Sequence, residues 1–145
     1  MRLRFLLLMS YTLLLFGCEN EQTQSKEVIC VQYPNGGSEL AWLMRNASDR
    51  MEEQKETILK GKSIKLMPLD VNHILSAVPT ESGKNTSELY KTMANRFLSH
   101  TNKLDSIPLE GQIKYYNQTV AQCVNCHETQ CPGPLVRIKK LYIED

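Results

Sequence analysis

Residues 123–127 read Cys-Val-Asn-Cys-His, and only 18 residues follow them. Two thiols three positions apart can bond the two vinyl groups of one porphyrin. The next residue then offers imidazole to the iron, which is why C-x-x-C-H is the attachment signature of c-type haem. The position of the motif constrains the fold. With so short a chain downstream, a second iron ligand has to come from upstream, on a different element. That suits a helical bundle that holds one haem at the end of its last helix.

The other end of the chain reads as a targeting segment. Arg2 and Arg4 give a basic start, and residues 5–16 form an almost unbroken apolar run of 12. Such a run falls short of the ~20 residues a membrane span needs. Leu15-Phe16-Gly17-Cys18 resembles a bacterial lipobox, in which the Cys is acylated and becomes the mature N-terminus. Residues 1–17 are thus expected to be a lipoprotein signal peptide and Cys18 the lipidation site. Glu19, rather than Asp, favours the outer membrane. Residues 18–27 contain Glu-Asn-Glu-Gln-Thr-Gln-Ser-Lys-Glu after the Cys, with no apolar side chain, and read as a tether.

Residues 28–145 are left for one domain, long enough to bury a core. Removing the two leader arginines leaves 15 basic and 16 acidic residues, so no basic field argues for a nucleic-acid partner. Five cysteines occur. With Cys18 assigned to lipid and Cys123 and Cys126 to haem, Cys30 and Cys131 remain, and an oxidising periplasm suggests that they form a disulfide.

Four helices are expected. Ser38 is a plausible N-cap with Glu39 favourable in the first turn, and Gly61 a natural stop, so the first helix covers about 38–60. Its apolar or small positions are Leu40, Leu43, Met44, Ala47, Met51 and Ile58, with Gln54 interrupting. A short second helix runs from Asp70 to Pro79, facing inward with Val71, Ile74, Leu75 and Val78. Asn85-Thr86-Ser87-Glu88 reads as a variant capping box for the third, whose stripe is Leu89, Met93, Phe97, His100 and Leu104. The fourth starts near Glu110, with Ile113, Tyr116, Val120, Cys123 and His127 on one stripe, and ends at Cys131-Pro132-Gly133-Pro134. Residues 135–143 read as an extended tail able to pair with an extended stretch at 28–33. The expected fold is all-α, an up-down-up-down four-helix bundle. That topology places Cys30 and Cys131 at the same end.

This order of elements resembles the class II cytochromes c, the cytochrome c-prime group and its low-spin relatives. The resemblance covers roughly residues 38–131. It implies a bundle with C-x-x-C-H near its C-terminus and a Met or Leu of the first helix facing the iron. Two features depart from that pattern. Cys131 stands where a basic residue commonly follows the haem His, and Leu40 where an Arg commonly precedes the first-helix ligand. The family's propionate contacts are therefore not carried over.

His127 is the expected proximal ligand, with Cys123 and Cys126 as the thioether cysteines. At ~1.5 Å per residue, haem at the end of the fourth helix lies level with the first two turns of the first. Leu40, Leu43, Met44 and Ala47 are within reach there, and Met44 is the one best suited to bind iron. Met51 lies ~10 Å farther along the axis, His100 ~18 Å up the third helix, and His73 opens the second helix at the far end. Packing is the competing role for Met44, since Met fills cores freely.

The motif has other readings. Cys123, Cys126, His127 and Cys131 could form a Cys3His zinc site, or the two cysteines a thiol–disulfide exchange pair or a structural disulfide. The exported context and the position at the end of a helix favour haem. Given haem, Met44 ligation implies electron transfer through six-coordinate iron to a redox partner protein. Leu40 or Leu43 on that face implies five-coordinate iron that binds nitric oxide or carbon monoxide. No acid–base pair, nucleophile or substrate pocket is legible, so catalysis is not expected.

Overall fold

The computed structural model describes residues 37–144. Cys18, Cys30, the leader, the tether and the stretch 28–33 lie outside them. The described residues are all helical or irregular, with no strand among them. We number the helices α1 (Glu39–Leu59), α2 (Glu88–Thr101), α3 (Gln112–Gln130) and α4 (Leu135–Lys139).

Local chemistry sets the ends of α1. Ser38 Oγ accepts the Ala41 N–H at 3.2 Å, and the Glu39 carboxylate accepts the Val78 N–H at 2.9 Å. At the other end Gly61 adopts φ +69°, where its N–H donates to the Ile58 carbonyl and the Lys62 N–H to that of Thr57. This Schellman closure satisfies two carbonyls that the helix leaves open. Ser87 caps α2, its Oγ accepting the Tyr90 N–H at 3.1 Å.

The second expected helix does not form. Residues 72–76 make turns, held by Ile74 N–H to Val71, and by Ser76 and Ala77 N–H to His73. Val71, Ile74 and Ala77 are buried at a spacing of three, while Leu75 and Val78 are exposed. That is the period of a tight three-residue winding, not of an α-helix. The segment is short and holds Val71, Asn72, Ile74 and Ser76, all weak helix formers, before Pro79. It runs back along α1 instead. The Gln54 amide donates to the Met67 carbonyl at 2.6 Å near the end of α1, and the Leu40 N–H donates to the Val78 carbonyl at its start. The polar interruption of the α1 seam is thus the anchor of the returning chain.

Long-range contacts fix the helix directions. Tyr116 of α3, fully buried, donates its hydroxyl to the Met51 carbonyl of α1. Gln112, at the start of α3, bonds Ile64 and Ser63, just past the end of α1. Tyr115 donates to the carbonyls of His100 and Thr101, and Thr129 to Met93. Thus α3 runs antiparallel to both α1 and α2.

Two stripes are rotated from their expected positions. On α2 the buried residues are Tyr90, Ala94 and Phe97, and Leu89 is half exposed; Tyr90 turns inward to donate its hydroxyl to Ile74 O. On α3, Gln112, Tyr115, Thr119 and Val124 join Tyr116 and Val120 inside, while Ile113 is exposed.

The expected extended tail is also corrected. Residues Leu135–Lys139 form the short helix α4, and Ile138, Leu141 and Ile143 are buried while Val136 is exposed. Asn117 pairs with Ile143 through both its amide nitrogen and its oxygen, and Lys55 donates to the carbonyls of Lys140 and Tyr142. Arg137 pairs with Asp49. These anchors hold the tail against α1 and α3, where each of its buried aliphatic side chains contributes ~1.5–3 kcal/mol.

Candidate haem attachment site

The last two turns of α3 carry Cys123, Cys126 and His127, all half-buried thiols or imidazole. Three and four residues along a helix return to one side, so these groups share a face of α3. His127 Nδ1 lies 2.8 Å from the Cys123 carbonyl oxygen. A carbonyl can only accept, so Nδ1 carries the proton and Nε2 keeps its lone pair. This is the tautomer a metal-binding imidazole needs, with the second nitrogen oriented by a backbone acceptor.

Cys123 sits where the two parts of the core meet. It packs against the cluster of Met51, Tyr116, Val120 and Val124, and against that of Val71, Ile74, Tyr90, Ala94 and Phe97. Against the second cluster also pack Leu40, Leu43, Met44 and Ala47 of α1, Leu69 of the returning segment and Leu98 of α2. Every apolar residue in the first turns of α1 is only half-buried, whereas Met51 is 1% exposed. The α1 seam is closed in its C-terminal half and half-open beside Cys123.

The Tyr116–Met51 hydrogen bond sets the level of each residue. Two turns onward along α3 is Cys123, and two turns back along α1 is Met44. By the same count His127 is level with Leu40. Side chains lean toward the N-terminus of their own helix, so in this antiparallel pair Met44 and His127 lean toward each other. Met44 therefore lies among the residues expected to face the motif. His100 does not: it is near the other end of α2, with Nε2 2.9 Å from Thr119 Oγ1 and its ring stacked on Tyr115. His73 is exposed and, because the chain has already returned by residue 78, it is not at the far end as expected.

The electrostatics bear on the other readings of the motif. Burial, and secondarily the neighbouring Cys126, push the Cys123 thiol up to about 12, and burial pushes Cys126 up as well. An exchange-active cysteine needs the opposite, a thiolate at neutral pH. Cys131, the α3 C-cap, is exposed, and among the described residues no three His, Cys, Asp or Glu side chains gather in a metal-holding group. The Cys3His arrangement is thus not assembled. The pairing of Cys131 with Cys30 falls outside the described residues.

The residues present fit a covalently held haem: two thiols at the right spacing, an imidazole with Nε2 free, and a half-open apolar wall on α1. Sequence reasoning missed Leu69, Leu98 and Tyr90 on this wall. An α2 stripe of Tyr90, Ala94 and Phe97 would have found Tyr90. No protein-family model, curated protein or solved structure matches the chain.

Proposed function

We propose that the chain is a lipid-anchored, periplasm-facing monohaem c-type cytochrome that transfers electrons. The observation that carries this reading is the His127 tautomer: in a C-x-x-C-H run, the backbone of the first cysteine orients the imidazole for a metal. Cys123 and Cys126 hold the haem as thioethers, His127 is its proximal ligand and Met44 its distal one. When bound, haem supplies a one-electron couple whose potential an axial thioether raises. The protein's part is to orient His127, to keep water from the face under Leu40, Leu43, Met44 and Ala47, and to anchor the wall through Tyr90 and Tyr116.

The resemblance to class II cytochromes c supports the same reading. Its up-down-up-down four-helix bundle is proposed here with the returning segment, residues 62–78, in place of the second helix. We further propose acylation at Cys18, tethering to the outer membrane, a Cys30–Cys131 disulfide and a protein redox partner. No helix among the described residues is long and apolar enough to cross a membrane. Cys18→Ser should release the protein to the periplasm; membrane retention with the leader intact would refute acylation.

A second reading has its own support. Leu40, not Met44, is level with His127, which favours five-coordinate iron open to nitric oxide or carbon monoxide. Ferric and carbon monoxide spectra of the wild type and Met44→Ala decide between them. Electron transfer predicts a far-red thioether–iron band and poor carbon monoxide binding in the wild type, both reversed in the variant. Ready carbon monoxide binding by both proteins would leave Met44 as packing only.

A further inference from the structure

Between them, α2 and α3 leave a groove of about 420 Å³. Its walls are two helical rows. Arg96, Ser99, His100 and Lys103 come from α2 and the turn after it, and Gln118, Ala121, Gln122 and Asn125 from α3. At 100° per residue, the α3 row points roughly opposite to Cys123 and His127 and about a quarter turn from Cys126, and none of the three lines the groove.

Three features give the groove a chemical preference. Where two packed helices would ordinarily meet through apolar side chains, it presents one alanine and seven polar or basic residues. It contains no carboxylate, and neither Arg96 nor Lys103 forms an ion pair among the described residues. Its one imidazole is held in place. Thr119 Oγ1 donates its proton to the Tyr115 carbonyl, so it can only accept from His100 Nε2. Nδ1 is then the basic nitrogen of a ring fixed by stacking on Tyr115 at 4.5 Å.

We propose that this groove binds a small anion bearing phosphate groups, gripped by Arg96 and Lys103, with His100 taking up a proton as the anion binds. The charged and titratable groups around the ring are Arg96 and Lys103 on its own side and Tyr115 of α3, with Asp105 beyond Tyr115. In the free protein, burial lowers the basicity of His100; the Tyr115 carbonyl opposes this, and Lys103 and Arg96 reinforce it. A bound anion reverses the effect of those two cations. Protonation at Nδ1 then adds a third positive donor, and charge-assisted hydrogen bonds are the strong ones. Binding therefore tightens as pH falls.

The test follows the His100 ring resonances of the full mature protein by NMR at constant ionic strength. The probes are pyrophosphate and, separately, phosphatidylcholine vesicles doped with phosphatidic acid. The expected result is a saturable His100 shift, an upward move of its pKa on binding, and affinity roughly tenfold or more weaker in Arg96→Gln/Lys103→Gln. His100→Gln should keep binding at high pH and lose the tightening at low pH, read from an α3 amide. A response to pyrophosphate identifies a free phosphate ligand, and a response to vesicles alone identifies a lipid headgroup. No saturable shift with either probe, or a shift unchanged in the double variant, would overturn the proposal.

Discussion

His127 Nδ1 donates to the carbonyl oxygen of Cys123, one turn back on α3, at 2.8 Å. The bond is local, so it survives any rearrangement of the wall opposite. It settles which nitrogen is available before a ligand arrives. One turn farther on, Cys131 N–H closes the helix by bonding the His127 carbonyl.

Gln112 should be among the polar residues most costly to replace. It is 1% exposed, accepts from Ile64 N–H and donates to Ser63 Oγ, joining the start of α3 to the chain leaving α1. Gln112→Leu keeps the volume and leaves the buried Ile64 N–H without a partner, at a cost of ~1–3 kcal/mol. Urea unfolding checks this, with a lower midpoint expected.

Gly61→Ala tests the closure of α1. At φ +69° a side chain is strained, although nothing lies within 4 Å of the added Cβ. The expected loss is ~1 kcal/mol, from backbone conformation alone. Thermal denaturation measures it, and Gly61→Asn should lose less, since Asn tolerates that conformation.

Acid should weaken the fold through His100. Its folded-state basicity lies below that of the free side chain, chiefly because of burial. The unfolded chain therefore binds the proton more readily, and stability falls as pH drops below about 6.5 and on through the folded value. Between about pH 7 and 5, His100→Gln should show a shallower decline in unfolding free energy than the wild type.

Where the sequence carries a local signal, it was readable. Ser38, Gly61 and Ser87 each act on backbone groups within four residues, and the bounds of α1 and the start of α2 followed from them. The end of α3 before Cys131-Pro132-Gly133-Pro134 was legible for the same reason. Residues 70–78 were misread because their burial repeats every three residues, which a helical stripe of Val71, Ile74, Leu75 and Val78 imitates for one turn. The tail was misread because what holds it is distant: Asn117 on Ile143, Lys55 on Lys140 and Tyr142, Arg137 on Asp49. Gln54 and His100 looked like exceptions on apolar faces, and their partners, Met67 and Thr119, lie 13 and 19 residues away.

The most direct test of haem attachment is the mass of the intact protein. It should be expressed with the periplasmic cytochrome maturation machinery and measured after acid-acetone extraction. Thioether bonds to Cys123 and Cys126 predict a retained gain of one haem, lost in a Cys123→Ala/Cys126→Ala variant. A wild-type mass without haem, or haem that is wholly extracted, would contradict it.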